Sequence, residues 1–340
     1  MLFQVIWFIL WGVLWAVFFM LDGFDFGAGM LLGRLAKNEA EKRAVLNAIG
    51  PFWDGNEVWL LTAGGATFAA FPATYALMFS YLYTALLLLL FSLILRGVSI
   101  EFRGKAEGAG WRRGWDFGLF LGSLLPALLT GVAFGNIFMG LPMDAEGYHG
   151  SLLTLLNPYG LLTGVLFVLL FLVHGALWIA VKTGGEVERR AARAANAIWY
   201  ALLAAAAAFL VSTGFATRLY ANYMKAPVLL VLPAAAVLAL LATKFYSAGG
   251  KYLRAFAASC VTIVMVTFTG VAGLFPNLIP SSIAPASSLT IFNSSSSVYT
   301  LKIMTVVAVV FVPIVILYQA WAYRVFRHKE VDITAEKGPY

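Results

Sequence analysis

The sequence predicts an all-α integral membrane protein with about nine transmembrane helices and very little chain outside the bilayer. Composition is the first observation behind this prediction. Of the 340 residues, 61% are hydrophobic and only 11% are charged, whereas a soluble domain carries about 25% charged residues. The second observation is a series of mostly apolar stretches of about 20 residues, the length that crosses the hydrocarbon core. Because lipid offers the backbone no hydrogen-bonding partners, each crossing is expected to be a helix.

The predicted spans cover most of a single membrane domain, residues 1–340. In chain order the spans are 4–33, 54–73, 75–98, 115–140, 158–182, 195–217, 226–245, 255–276 and 302–326. Only the turn around Pro72 separates the second and third spans, which predicts a tight hairpin because proline ends a helix or begins a new one. The two largest connections on the outer side, 141–157 and 276–301, are too short to form a domain.

The distribution of Lys and Arg predicts how the protein is oriented. Cytoplasmic connections of membrane proteins carry an excess of these residues. With nine spans, 20 of the 23 basic residues fall on one side, and the other side receives only Arg218, Lys225 and Lys302. We therefore expect the N-terminus outside and the C-terminus in the cytoplasm. The net charge of +7 is then a mark of orientation, and we expect no nucleic-acid partner.

A short internal repeat suggests two related units. The sequence Thr-Gly-Val-Ala occurs at 130–133, near the end of the fourth span, and again at 269–272 in the eighth. Each copy is followed within about ten residues by a proline, Pro142 or Pro276. The repeat predicts two four-helix bundles plus one peripheral helix, although chance explains a match of four small residues equally well.

Carboxylates inside the first span mark the candidate site, because a charged side chain at the centre of a bilayer costs about 2.5–3.5 kcal/mol. Asp22 and Asp25 lie three residues apart and therefore share one face of a helix. Asp25 is expected about 12 Å inside the span, where we predict a functional carboxylate. For Asp22, a functional role and pairing with a basic neighbour near the cytoplasmic surface are equally good interpretations. Gly23 and Gly27 form a small-xxx-small pair that would let another helix approach closely.

Two further acids, Asp54 and Glu57, open the second span. Their spacing also fits a capping box, which would be a purely structural role. The preceding connection is predicted to be cytoplasmic, so Asp54 is expected at the same side as Asp25. Acids that step inward from the cytoplasm suit proton uptake, because a carboxyl group in a dry site can hold or release a proton.

Few residues in the sequence could hold a redox centre. The histidines are His149, His174 and His328, and the one cysteine is Cys260. Haem iron takes axial His, Met or Cys, and a lone His174 in the middle of a span is more typical of a hydrogen-bonded histidine between helices. Metal-spacing motifs, phosphate-binding loops and nucleophile constellations do not occur. We expect no cofactor, metal or catalytic residue in this chain, and a single cysteine excludes an internal disulfide.

Taken together, the motifs resemble those of subunit II of the bd-type quinol oxidases, which are bacterial terminal oxidases. Each motif is short, but the matches follow the family order over nearly the whole chain. The matching segments are 22–29, 53–56, 58–60, 62–66, 96–105, 115–116, 131–136, 155–158, 275–276, 280–282, 289–290 and the serines 294–297.

The resemblance implies a complex in the bacterial cytoplasmic membrane that oxidises quinol, reduces oxygen to water and separates charge without pumping. The haems of this family, two of b type and one of d type, belong to subunit I, the expected partner in a heterodimer. Small single-helix accessory subunits, membrane lipid and quinone are further expected partners. Subunit II is expected to support the haem-bearing subunit and to supply a cytoplasmic route for proton uptake.

Residue by residue, the resemblance assigns roles to the acids and to a basic motif. Asp25 and Asp54 match the family's intramembrane acids. Glu57 stands where many members carry Gln, so this acid would either extend a proton path or complete a helix cap. The predicted proton-pathway residues are Asp25, Asp54, Asp22 and Glu57, and the neighbouring motif residues are Trp53, Arg96 and Arg103.

A secondary transporter is the competing class. It would also cross the membrane many times, carry intramembrane acids and contain an internal repeat. Transporters usually place such acids near the midplane beside broken helices, whereas the acids here cluster toward one face. A scaffold subunit without any role in proton transfer is a third interpretation, and it differs only in the tasks of Asp25 and Asp54.

Overall fold

The computed structural model of the chain describes residues 1–329, most of which are helical. Within this part, eight helices are long and apolar enough to cross a membrane, in agreement with the predicted fold class. The helix at the predicted second span is not among them, and its first turns carry Asp54, Asn56 and Glu57. Nine crossings and their orientation therefore stay predictions. Lys337, one of the 20 basic residues predicted on the cytoplasmic side, lies outside the described residues.

Thirteen α-helices make up most of the described chain. In chain order the helices are α1 (Leu2–Leu35), α2 (Glu39–Ile49), α3 (Trp53–Ala70), α4 (Pro72–Tyr81), α5 (Tyr83–Phe102), α6 (Ala109–Met139), α7 (Leu152–Leu155), α8 (Pro158–Lys182), α9 (Gly185–Ala216), α10 (Tyr220–Lys225), α11 (Val231–Ala248), α12 (Tyr252–Leu274) and α13 (Val298–Val325). Short 3-10 turns lie at Arg103–Lys105, Pro227–Leu230 and Pro285–Ser287. Two small antiparallel hairpins pair β1 (Met143–Asp144) with β2 (Gly147–Tyr148) and β3 (Asn277–Ile279) with β4 (Leu289–Thr290).

The predicted third span, 75–98, is divided between α4 and α5. Pro72 begins α4, where its fixed φ suits the first helical turn, and Leu82 separates the two helices. The ring of Trp53, at the start of α3, packs against Gly97 near the end of α5, so these two helices run antiparallel. The predicted hairpin is therefore correct in direction, but its turn is wider than expected because it includes the ten residues of α4.

The helices pack as two groups with matching contacts. The first group is α1, α3, α5 and α6, and the second is α8, α9, α11 and α12. Three contacts in the first group each have a counterpart in the second. The α1–α3 contact corresponds to α8–α9, the α5–α6 contact to α11–α12, and the α1–α6 contact to α8–α12. A small hairpin follows the last helix of each group, while α13 packs against α1 and α3. This packing supports the predicted two four-helix bundles plus one peripheral helix.

Glycines bring α1 and α8, which belong to different groups, into backbone contact. A Cβ atom at Gly27 would overlap the carbonyl oxygen of Phe171, and one at Gly175 would lie 2.5 Å from the carbonyl carbon of Gly27. A Cβ atom at Gly23 would lie 2.6 Å from the ring of Phe171. The predicted small-xxx-small pair therefore lies at a close helix contact, which in membranes depends on packing rather than on the hydrophobic effect.

Connections that the charge pattern places in the cytoplasm meet at one end of the bundle. Glu41 in α2 pairs with Arg190 in α9 at 2.6 Å, and Lys329 pairs with Glu188 at 3.1 Å. Burial acts to raise the pKa of Glu41, but hydrogen bonds from Arg190 and from the Lys37 backbone N–H outweigh it and hold the pKa below its ordinary value. This pairing contributes stability above the ordinary carboxylate pKa, and the contribution is lost as the pH falls through the lowered value.

The connections predicted outside the membrane meet at the opposite end. The Leu141 backbone N–H donates to the carbonyl oxygen of Pro280 at 2.9 Å, and Leu141 in turn accepts from the N–H of Ser282 at 3.0 Å. The hydroxyl of Ser281 donates to the Met143 carbonyl at 2.5 Å. The two outer connections are thus joined to each other by hydrogen bonds, while the side of the membrane on which they lie stays a prediction.

We expect Gly27→Ala to destabilise the protein, because an added methyl group must push α1 and α8 apart. Overpacking of this kind costs about 1–3 kcal/mol, which corresponds to a fall in Tm of roughly 1–4 °C for a chain of this length, measurable by tryptophan fluorescence of the purified protein in detergent. The matched control is Gly33→Ala in the same helix, where a Cβ meets nothing within 4 Å. Equal Tm values for the two variants would contradict the close contact.

Candidate functional site: a buried carboxylate cluster

Helices α1, α3 and α5 bring three polar side chains together inside the first group of helices. Asp22 and Arg96 are both fully buried and form a bidentate pair, with Nη1–Oδ1 and Nη2–Oδ2 distances of 2.5 and 3.1 Å. Arg96 Nη2 also donates to Glu57 Oε2 at 2.7 Å. The ring of Phe26 covers the guanidinium, 4.4 Å from its Cζ. The geometry is the fork-shaped, charge-assisted kind that Arg forms with carboxylates.

The capping-box interpretation of the second span is wrong. The N-cap of α3 is Phe52, and no side-chain hydrogen bond caps this helix. Glu57 instead faces Arg96, with 23% of its side chain exposed. Asp54 lies in the first turn of α3 on an open groove of about 410 Å³ between α3 and α5. The two acids thus differ, because Glu57 has an ionic partner and Asp54 is exposed on the groove.

Asp25 lies one turn from Asp22 but in a different environment. It is 1% exposed, and its Oδ2 accepts a hydrogen bond of 2.7 Å from Asn56 Nδ2. Its Oδ1 has no hydrogen-bond partner among the described residues. Asn56 also donates to the Leu21 carbonyl at 3.2 Å and accepts from the hydroxyl of Tyr323 at 2.9 Å. Asp25 is therefore a buried carboxyl group with one hydrogen-bonded oxygen and one oxygen that has no hydrogen-bond partner among the described residues.

Sequence reasoning missed the part that α13 plays in this site. Gln319 Nε2 donates to the Gly55 carbonyl at 3.2 Å, and the indole N–H of Trp59 donates to Gln319 Oε1 at 3.1 Å. Tyr323 follows four residues later and reaches Asn56. Polar side chains at i and i+4 in a long apolar span share one face and normally face protein rather than lipid. That spacing was the signal available in the sequence.

Arg103 and Trp53 lie near the cluster but do not join it. Arg103 Nε donates to Asp116 at 2.5 Å and its Nη2 to Glu39 at 3.0 Å. Lys42 binds the other oxygen of Asp116 at 2.7 Å. These four charged residues form an ionic network at the end of the bundle. The structure thus separates the predicted basic motif, since Arg96 belongs to the buried cluster and Arg103 to this network, while Trp53 packs between α3 and α5.

His174 and His149 each have hydrogen-bond partners in the structure. His174 is fully buried, and its two ring nitrogens bond to the Ser259 hydroxyl at 2.7 Å and to the Met20 carbonyl at 2.9 Å. Because a carbonyl only accepts, Nε2 carries the hydrogen and donates it to Met20. His174 is therefore the hydrogen-bonded histidine between helices that the sequence predicted. His149 bonds to Asp144 in the β1–β2 hairpin. In the described part of the chain no group of three or more His, Cys, Asp or Glu could hold a metal ion.

Comparison with known proteins agrees with the sequence motifs. The family model "Cytochrome bd terminal oxidase subunit II" matches residues 3–326. Subunit 2 of the cytochrome bd-I ubiquinol oxidase of Escherichia coli (strain K12) is 38% identical over 94% of this chain and 93% of its own length. Subunit 2 of the cytochrome bd ubiquinol oxidase of Bacillus subtilis (strain 168) is 39% identical, covering 96% and 97%.

The fold is also similar to that of a solved structure. A chain in the structure of the bd oxidase from Geobacillus thermodenitrificans aligns with a TM-score of 0.79, covering 96% of this chain and 99% of its own length. Their sequence identity is 17%, so this likeness concerns the fold alone.

We expect Asp22→Asn to destabilise the protein strongly, because Arg96 would keep only Glu57 as an ionic partner. Removing one member of a buried pair costs about 3–5 kcal/mol, which should appear as a low yield of monodisperse protein and a large fall in Tm. Asp116→Asn is the matched control in the more exposed network and should have a smaller effect. A wild-type Tm for Asp22→Asn would show that the pair does not hold α1 to α5.

Proposed function

The chain belongs to the subunit II family of cytochrome bd terminal oxidases and is a subunit of a membrane quinol oxidase complex, and we propose that it serves this complex as scaffold and as proton route. In this proposal the complex lies in the bacterial cytoplasmic membrane, oxidises quinol and reduces oxygen to water. Its b- and d-type haems are held by subunit I. Protons for water formation enter from the cytoplasm through this chain, and quinol protons leave on the outer side, so charge is separated without pumping.

Asp25 is the observation that carries the proton route. It is a carboxyl group buried among helices, it has no ionic partner among the described residues, and its buried Oδ1 has no hydrogen-bond partner there. A buried carboxyl group in this position can take up and release a proton, whereas both oxygens of Asp22 accept hydrogen bonds from Arg96. We therefore assign Asp22 a structural role and Asp25 the role of relay.

A graded series of acids leads toward Asp25. Asp54 is exposed on the groove between α3 and α5, Glu57 is partly exposed, and Asp25 is buried. Arg96 pairs with Asp22 and Glu57, and Asp25 adds a third carboxyl group one helical turn from Asp22. Surplus negative charge in a membrane interior is costly unless it is balanced by a bound cation. A proton is the smallest such cation, so this cluster favours proton uptake.

The scaffold role is supported by the outer faces of α3 and α13. Only Leu301 in α13 is buried, although the helix is long enough to cross the membrane. On α3, Val58, Leu61 and Phe68 are exposed in line with Asp54. A carboxylate that faces lipid is costly, so a protein partner covers this face better than lipid does. Subunit I is the partner that the family relationship supplies.

The observations favour an oxidase subunit over a transporter. The acids belong to one cluster tied by Arg96, and the relatives with matching sequences are oxidase subunits. The interpretation as a scaffold without a proton role differs only at Asp25 and Asp54, and substitution of Asp25 separates the two.

Asp25→Asn should slow oxygen consumption by the purified complex about a hundredfold or more, the lower end of the effects for loss of a proton-transfer group, while haem content stays unchanged. Oxygen uptake is measured with a quinol substrate, and haem content is read from the visible spectrum. Asp144→Asn, in the outer β1–β2 hairpin, is the control and should retain wild-type turnover. Full turnover of the Asp25→Asn complex, or loss of haem from that complex, would assign Asp25 a structural role.

Leu61→Trp tests the scaffold face, because a bulky ring at a residue that is 72% exposed should block close packing of subunit I. We expect less haem-bearing subunit to co-purify with an affinity tag on this chain. Val211→Trp on α9 is the matched control, since Val211 is 63% exposed on a helix of the other group. Equal recovery of subunit I with both variants would place the interface elsewhere.

A further inference from the structure

We infer that Tyr323 on α13 is a positioning residue for proton transfer at Asp25. Acting through Asn56, it keeps Asp25 Oδ2 hydrogen-bonded and leaves Oδ1 as the atom at which the proton is exchanged. The inference rests on the proposed proton route through Asp25. It adds a residue from the peripheral helix, outside both four-helix groups, to that route.

The contacts of Asn56 define which way its amide points. On one side lie two acceptors, the Leu21 carbonyl at 3.2 Å and Asp25 Oδ2 at 2.7 Å. On the other side lies the hydroxyl of Tyr323 at 2.9 Å. Only the amide nitrogen can donate to both acceptors, because the reversed amide would place its oxygen against the Leu21 carbonyl oxygen. The phenol hydrogen then donates to Asn56 Oδ1 and favours this orientation.

The position of the phenol is itself well determined. The ring of Tyr323 stacks on Phe52 with centroids 4.4 Å apart and planes at 18°, and it meets the edge of Trp178 at 6.0 Å. One turn earlier, Gln319 ties α13 to the Gly55 carbonyl of α3. The hydroxyl is therefore presented to Asn56 by a fixed ring on a fixed helix.

This arrangement makes the two oxygens of Asp25 unequal. Oδ2 accepts the Asn56 N–H, while Oδ1 has no partner among the described residues. A proton that arrives at Asp25 binds at Oδ1, and it leaves from the same atom when the amide again supports the ionised form. Without the phenol, Asn56 could rotate and the supporting hydrogen bond would no longer be assured. The same proton transfer would then become slower, without loss of any acid.

Tyr323→Phe tests the inference, because it keeps the stacked ring and removes only the hydroxyl. In the purified complex we expect oxygen consumption to fall roughly threefold to tenfold, the change that corresponds to loss of about one neutral hydrogen bond. Haem content should be unchanged. The ratio of rates in H2O and D2O should rise as proton transfer becomes limiting. The infrared band of the Asp25 carboxyl group, assigned with Asp25→Asn, should shift.

Tyr159→Phe is the matched control. Tyr159 is also a buried tyrosine, and its hydroxyl bonds to Thr213 at 2.8 Å, but it lies in the second group of helices. Its loss should leave the rate, the isotope effect and the Asp25 band unchanged. The double variant Asp25→Asn with Tyr323→Phe should be no slower than Asp25→Asn alone, because Tyr323 acts only through Asp25.

The outcomes separate this inference from the function on which it rests. Full turnover of Asp25→Asn overturns the proton route, whatever Tyr323→Phe does. A slow Asp25→Asn together with a wild-type rate, isotope effect and infrared band in Tyr323→Phe overturns only the positioning role. Loss of haem in Tyr323→Phe, or additive losses in the double variant, would also overturn it, by giving Tyr323 a structural or independent role.

Discussion

The ion pair between Asp22 and Arg96 connects α1 to α5 in a part of the protein where an unpaired charge is most costly. Both side chains are fully buried, and Arg96 reaches a third helix through Glu57. The three helices are thereby held in one alignment along the bundle, because the cluster can form only if Asp22, Glu57 and Arg96 lie at the same depth. Removing one partner of a buried ion pair destabilises a protein strongly, whereas the intact pair adds little net stability. The main effect of this pair is therefore to specify how the helices pack.

Helix α1 is the element on which the two groups of helices converge. Gly27 brings it against Gly175 of α8, and its backbone carbonyls accept from side chains on two sides, from His174 at Met20 and from Asn56 at Leu21. Polar contacts of this kind can hold helices together in lipid, where apolar contacts alone provide little preference. The same short segment therefore serves packing and places the acid site.

Two carboxylates on one face of α1 acquire different chemistry from their neighbours. Asp22 meets a guanidinium, whereas Asp25 meets an amide whose orientation depends on a phenol from α13. Neighbouring residues of one motif thus meet different partners, and the peripheral helix α13 contributes to the surroundings of Asp25 through Tyr323 and Asn56.

The sequence by itself determined the membrane fold, the approximate ends of the long helices and the candidate acids, because hydropathy and charge are local properties of the chain. It also identified the family through motifs such as 53–56. Tertiary structure alone decided that Asp22 is paired and Asp25 is open, that Glu57 meets Arg96 instead of capping α3, and that Tyr323 belongs to the site. These distinctions depend on contacts between helices far apart in the chain, and spacing along one helix shows which residues share a face but not what that face meets.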